Sequence, residues 1–150
     1  MQDIEIRQYK TTDFDSAIVV YEHLCTFYGL PFDLEKSKKF FSKRSYFQSY
    51  YTLVAFDKVE KIVIGLIFSE IVTEATQETC GYIKLIYVEE AYRKQGIMSA
   101  LINKTIQYFK EIQMDKVGIY LQNENLPYMD YYLQKFGMCP TTTIVAKKIE

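Results

Sequence analysis

An uninterrupted apolar segment in the middle of the chain places the strongest constraint on the fold. Residues 62–68 read Ile-Val-Ile-Gly-Leu-Ile-Phe, with no polar residue among them. A strand that faces water on one side alternates apolar and polar residues, whereas a strand covered on both sides is apolar throughout. The segment therefore predicts an inner β-strand in a sheet that carries helices on both faces.

The other elements follow from periodicity and capping residues. Dense β-branched and aromatic segments predict strands at Ile4 and Ile6 and at residues 50–56, 61–72, 82–88, 117–121 and 142–147. Helical spacing and capping signals predict a helix capped by Thr12 or Asp13 and ending at Phe27, a second capped by Asp33, and helices at residues 97–112 and 126–135. Residues 50–56 and 61–72 are expected to form a hairpin. The order of elements predicts a mixed sheet in an α/β or α+β protein.

Composition narrows the class of protein. The chain has 150 residues, 49% of them hydrophobic, which suffices for one compact domain over residues 1–150. A net charge of -1 argues against general attraction to nucleic acid or to an anionic membrane. No segment approaches the roughly 18 to 20 apolar residues of a membrane span, and the 3 cysteines form no C-x-x-C pair. These features predict a soluble protein of the reducing cytoplasm without a metal site.

The strand at residues 82–88 leads into a loop that favours anions. Arg93 and Lys94 follow the strand, and Gly96 directly precedes the long helix. The N-terminus of a helix presents unpaired backbone N–H groups and about half a positive charge, and glycine lets a bulky anion approach the backbone. The sequence contains neither G-x-x-x-x-G-K-[ST] nor G-x-G-x-x-G, which excludes the two common phosphate loops.

The loop resembles the GNAT superfamily of acyl-CoA-dependent N-acetyltransferases. Residues 88–98, Val-Glu-Glu-Ala-Tyr-Arg-Lys-Gln-Gly-Ile-Met, match that family's strand end and [Q/R]-x-x-G-x-[G/A] motif, with Met98 where Gly or Ala is usual. The resemblance implies a mostly antiparallel sheet and acetyl-CoA as cosubstrate. It implies that backbone amides of residues 93–98 hold the pyrophosphate and that residues 86–88 pair with pantetheine. The cofactor-binding residues expected on this basis are Ile86, Tyr87, Val88, Arg93, Lys94, Gln95, Gly96, Ile97, Met98, Ser99, Asn125 and Tyr132.

A second stretch, residues 123–138, is similar to the family's segment from an asparagine to a tyrosine and then glycine. Tyr132 stands seven residues after Asn125, as in the family, but five before Gly137, where four is usual. The alternative register would place Leu133 at the tyrosine position. We favour Tyr132 as the acid that protonates the leaving thiolate.

The resemblance leaves the base and the acceptor open. Many relatives carry a glutamate where this chain has Tyr82, so Glu70 on the neighbouring strand is the substitute base, with Glu74 and Glu78 as further candidates. We expect direct attack by a primary amine of a small molecule or protein, because no cysteine has a visible activating partner. The acidic residues mildly favour a cationic acceptor.

The sequence leaves two rival functions and the oligomeric state open. The same fold without a base could be a non-catalytic acyl-CoA-binding or protein-interaction module. The basic residues between Lys36 and Arg44 could instead bind nucleic acid, which the net charge of -1 disfavours. The aromatic-rich strands could supply a homodimer interface.

Overall fold

The computed structural model describes residues 3–142 and 144–149, except for the side chain of Glu124. Five strands form one sheet in chain order: β1 (Ile4–Gln8), β2 (Tyr50–Asp57), β3 (Ile62–Thr73), β4 (Thr79–Val88) and β5 (Lys116–Ile119). The first four are antiparallel neighbours, and β5 runs parallel to β4. The predicted hairpin is β2 and β3, and the mixed sheet is confirmed.

Four helices pack against this sheet: α1 (Phe14–Tyr28), α2 (Leu34–Tyr46), α3 (Ile97–Glu111) and α4 (Met129–Phe136). Gly29 ends α1 and Gly137 ends α4, with φ angles of 66° and 63° that favour glycine. Asp33 caps α2 as predicted, because its carboxylate accepts the Lys36 N–H at 2.8 Å. Within the described part of the chain, no helix has the length and apolar character to cross a membrane.

The apolar strand β3 is covered on both faces, as its sequence predicts. On one face Ile64 and Ile67 pack with Leu101 and Ile102 of α3, and on the other Leu66 packs with α1 and α2. Residues 63–68 are all buried. The sheet is therefore the middle of three layers, which explains why residues 62–68 of this strand include no polar residue.

The first helix is capped differently from the prediction. Asp13 occupies the position before α1, but its side chain makes no cap to that helix. Its carboxylate instead accepts two hydrogen bonds from Arg7 at 2.8 Å each and one from the Lys10 N–H at 2.8 Å. The bidentate pair with the Arg7 guanidinium and the bond from the Lys10 N–H engage both carboxylate oxygens, so the side chain is turned away from the amides of α1.

Two elements near the C-terminus also differ from the prediction. Pro127 lies within a 3-10 turn, Asn123–Tyr128, so the last helix begins at Met129 rather than Leu126. The strand expected at residues 142–147 is wrong for residues 142 and 144–147, which lie in no strand, while Thr143 falls outside the described residues. Val145 is 92% exposed, so this alternating segment has no apolar surface to cover.

Candidate active site

The sheet opens where β4 and β5 part. The two strands pair only from Cys80 to Ile83, and the Tyr120 N–H makes a final bond to the Ile83 carbonyl at 2.8 Å. Phe68 lies opposite Leu85 and Ser69 opposite Ile83, so Lys84 is an extra residue in a β-bulge. Beyond this bulge, β4 continues to Val88 without a neighbouring strand on the β5 side among the described residues. The parting leaves a cleft along residues 84–88.

A buried hydrogen-bond chain links three elements at this cleft. The Tyr28 hydroxyl at the end of α1 donates to the Ile86 carbonyl at 2.7 Å. The Asn125 side-chain amide donates to the same hydroxyl at 2.8 Å. All the groups in this chain are buried, so each bond is made in a medium where an unpaired polar group is costly. Tyr28 therefore fixes Asn125 relative to β4.

The loop after β4 presents a row of unpaired amides. Lys94 and Gly96 adopt left-handed φ angles of 63° and 80°. The first bond of α3 runs from the Ala100 N–H to the Gly96 carbonyl at 3.0 Å. Among the described residues, the N–H groups of residues 94–99 have no acceptor. Such a turn at a helix N-terminus suits a pyrophosphate.

Arg93 braces this loop from behind. Its N–H donates to the Glu90 carbonyl at 3.2 Å, so this amide is not among the unpaired ones, contrary to the expectation for residues 93–98. Its side-chain Nε donates to the Val88 carbonyl at 2.9 Å, and the guanidinium lies 5.2 Å from the centre of the Tyr87 ring. The residue holds the loop against the end of β4.

Tyr132 of α4 points its hydroxyl into the same region. It is 3% exposed, and the hydroxyl donates to Met98 Sδ at 3.4 Å. Sulfur is a weak acceptor, so this hydroxyl has no strong partner there. Burial raises the Tyr132 pKa to about 12, which keeps the phenol protonated at neutral pH. Of the two residues that the alternative registers place at the tyrosine position, Tyr132 is buried and Leu133 is only half-buried.

The candidate base Glu70 lies between two cations. It pairs across the sheet with Tyr82, the position where a glutamate was expected from the resemblance. Its carboxylate is 3.7 Å from Arg44 Nη1 and 4.0 Å from Lys84 Nζ. Glu74 accepts a short hydrogen bond from the Tyr82 hydroxyl, which raises the Tyr82 pKa.

The sequence matches the model of a known protein family. The family model described as Acetyltransferase (GNAT) family matches residues 17–138. The chain belongs to the GNAT acetyltransferase family. This membership supports acetyl transfer and acyl-CoA binding in general.

Solved GNAT-like structures share the fold at low sequence identity. An acetyltransferase of Trypanosoma brucei is 19% identical, with a TM-score of 0.79 over 98% of this chain and 100% of that one. A GNAT family acetyltransferase of Staphylococcus aureus is 18% identical, with a TM-score of 0.76 over 98% and 99%. An aminoglycoside N-acetyltransferase in complex with CoA is 15% identical, with a TM-score of 0.78 over 97% and 94%. No curated protein matches the sequence.

The cleft and loop of this GNAT domain fit acyl-CoA. The unpaired amides of residues 94–99 offer donors for a pyrophosphate. No described strand pairs with residues 84–88 on the β5 side, which leaves room beside β4 for a pantetheine arm, although Tyr28 and Arg93 already bond the carbonyls of Ile86 and Val88. Met98 keeps its N–H available, and its sulfur accepts the bond from the Tyr132 hydroxyl at 3.4 Å. The residues present therefore suit the molecule that the family uses.

Two further residues lie at this candidate site, and nothing in the sequence indicated either. Tyr28 is one, because its partners Ile86 and Asn125 are 58 and 97 residues away. Lys135 is the other, since its Nζ donates to the Ser99 hydroxyl at 2.9 Å beside the loop. Ser99 also bonds the Tyr131 hydroxyl at 2.7 Å, and bonds with Lys135 and Ser99 lower the Tyr131 pKa.

Proposed function

We propose that this protein transfers the acetyl group of acetyl-CoA to a primary amine by direct attack. The observation that carries the proposal is the row of amides at residues 94–99 that have no acceptor among the described residues, next to the part of β4, residues 84–88, that no described strand pairs on the β5 side. Membership of the GNAT family supports the reaction class. The choice of acetyl over other acyl groups is part of the proposal.

In this scheme the loop after β4 binds the pyrophosphate, and β4 orients the pantetheine arm and the thioester. The amides of residues 94–99 hold the pyrophosphate, with Lys94 and Lys135 adding positive charge. Ile86, Tyr87 and Val88 align the pantetheine arm, and a backbone N–H of β4 polarises the thioester carbonyl. Asn125 takes part through Tyr28, which its amide contacts at 2.8 Å.

Two side chains move protons in the proposed reaction. The amine nitrogen bonds to the thioester carbon while the carbon–sulfur bond breaks. Tyr132, which burial keeps protonated at neutral pH by raising its pKa to about 12, donates its proton to the leaving thiolate, and water then returns a proton to the phenolate. Glu70, directly or through water, accepts the proton that the amine loses.

The test measures the turnover of acetyl-CoA with each of a panel of primary amines, and the release of the CoA thiol is the readout. We expect Tyr132→Phe to lower kcat about a hundredfold, the lower end of the effect of a general acid, with the Kd for acetyl-CoA changed less than about twofold. Tyr128→Phe is the matched control, because Tyr128 lies on the same segment and is 58% exposed. Equal kcat in wild type and Tyr132→Phe would remove Tyr132 from the mechanism.

One observation favours a second function, a non-catalytic acyl-CoA-binding module. The position of the usual glutamate is Tyr82, and Glu70 already faces Arg44 and Lys84. The same assay separates the two. Binding of acetyl-CoA without thiol release for any amine would favour the module, and turnover that Glu70→Gln reduces would exclude it.

The proposed setting is the cytoplasm. Cys25 and Cys80 are free and buried, and Cys139 is free and exposed. A free exposed thiol is stable in a reducing compartment. A mass measurement of the protein isolated without reductant should find all three thiols unmodified.

A further inference from the structure

A half-buried lysine stands at the point where β4 and β5 part. Lys84, the extra residue of the bulge, has a side chain that is 28% exposed. Its Nζ lies 3.7 Å from the centre of the Tyr120 ring, a close cation–π contact. Among the described residues, Nζ has no hydrogen-bond acceptor, and its nearest carboxylate oxygen belongs to Glu70 at 4.0 Å. The ammonium is thus held in place with its donors unused.

The second cation of this cluster, Arg44, is already satisfied by the protein. Its side chain is 3% exposed, and it donates to Thr52 Oγ1 at 2.9 Å and to the Ser69 carbonyl at 2.6 Å. Its Nη1 lies 3.7 Å from Glu70 and compensates the charge of that carboxylate from the buried side. Lys84 is therefore the cation of this cluster that a ligand can reach.

We propose that the acceptor carries a carboxylate close to its amine, as an amino acid does, and that Lys84 binds this carboxylate. The inference rests on the proposed acetyl transfer and adds the class of acceptor. Lys84 offers unused donors to the carboxylate, while the adjacent Glu70 faces the ammonium. A singly charged group suits the site, because a dianion would be repelled by Glu70 at its edge.

The position of Lys84 along β4 agrees with this orientation. It precedes Ile86 by two residues, which is roughly 7 Å in an extended strand. If the pyrophosphate lies at the loop after Val88 and pantetheine runs back along β4, the acetyl end points toward Lys84 and Tyr120. A carboxylate on Lys84 then leaves the neighbouring amine directed at the thioester. The acceptor class differs from the cationic one that the acidic residues suggested in the sequence.

The experiment compares L-amino acids with their carboxamides, in wild type and in Lys84→Met. We expect the wild type to prefer the carboxylates in kcat/KM, and Lys84→Met to raise KM for them by about ten- to a hundredfold, the range of a charged hydrogen bond. Lys84→Met should change KM for the carboxamides much less than KM for the carboxylates. Lys84→Arg should restore most of the affinity, and Lys110→Met, an exposed lysine on α3, should behave as wild type.

A binding measurement keeps the inference independent of turnover. The CoA-saturated protein is titrated with the same compounds by calorimetry, and the Kd for acetyl-CoA of each variant shows whether it is folded. Carboxylates that bind wild type at least tenfold more tightly than they bind Lys84→Met would support the inference. If these carboxylates bind but no acetyl transfer occurs, only the proposed function is overturned. Equal affinity for carboxylates and carboxamides, or no effect of Lys84→Met, would overturn the acceptor class.

Discussion

Replacing Tyr28 with phenylalanine removes one hydroxyl on which two buried polar groups depend. The Ile86 carbonyl loses its bond of 2.7 Å, and the Asn125 amide loses its bond of 2.8 Å. A buried polar group left unpaired costs about 1 to 3 kcal/mol. We expect Tyr28→Phe to lower the free energy of unfolding by about 2 to 6 kcal/mol for the two groups together, and the melting temperature by roughly 4 to 24 °C for a domain of this size.

Thermal and denaturant unfolding measure this change, with Tyr108→Phe as the matched control. Tyr108 stacks on Tyr51 with ring centres 3.7 Å apart, and its hydroxyl has no partner among the described residues. Asn125→Leu should cost less in the Tyr28→Phe background than in wild type, because the two share one bond. A loss no larger than that of Tyr108→Phe, with additive double mutants, would refute the role of this hydrogen-bond chain.

Two further predictions concern stability. Gly81→Ala should destabilise the fold by about 1 to 3 kcal/mol, because the added Cβ would lie 2.5 Å from the Phe109 ring, and Phe109→Leu should relieve part of this loss in a double-mutant unfolding experiment. Burial opposes the charge of Asp13, but hydrogen bonds from Arg7 and the Lys10 N–H prevail and lower its pKa below 3.8. The stabilisation by Asp13 is complete above the pKa of this residue in the unfolded chain, and it is lost as the pH falls through its pKa in the folded protein. Below about pH 4, the free energy of unfolding should therefore decrease more steeply in wild type than in Asp13→Asn.

Local patterns sufficed to predict most of the fold. The apolar run at residues 62–68 requires cover on both faces, and α1 and α3 provide it. Gly96 marked the start of α3, where its φ of 80° is the left-handed conformation. The predicted strand that is wrong at residues 142 and 144–147 shows the limit of such patterns. Alternation makes a strand only where a sheet edge and an apolar surface receive it, and Val145 is 92% exposed.

The sequence predicted the loop of the candidate site but not the contacts that the folded sheet brings together. The loop at residues 93–98 is continuous in sequence, so its motif was visible. The contacts of Tyr28 with Ile86 and Asn125, and of Lys84 with Tyr120 and Glu70, join residues far apart in the chain and follow only from the register of the sheet. Asp13 and Arg7 are close in the chain, but their bond also depends on the fold, because β1 places Arg7 beside the start of α1.

Thermal unfolding with acetyl-CoA, free CoA or ATP tests the central claim most directly. Ligand at about 100 times its Kd adds roughly 2.7 kcal/mol, which corresponds to a rise of roughly 5 to 11 °C. We expect this rise with acetyl-CoA and CoA but not with ATP, and its loss in Gly96→Asp, whose carboxylate would repel the pyrophosphate. No rise with any acyl-CoA would contradict the account, since the loop would then be only the start of a helix.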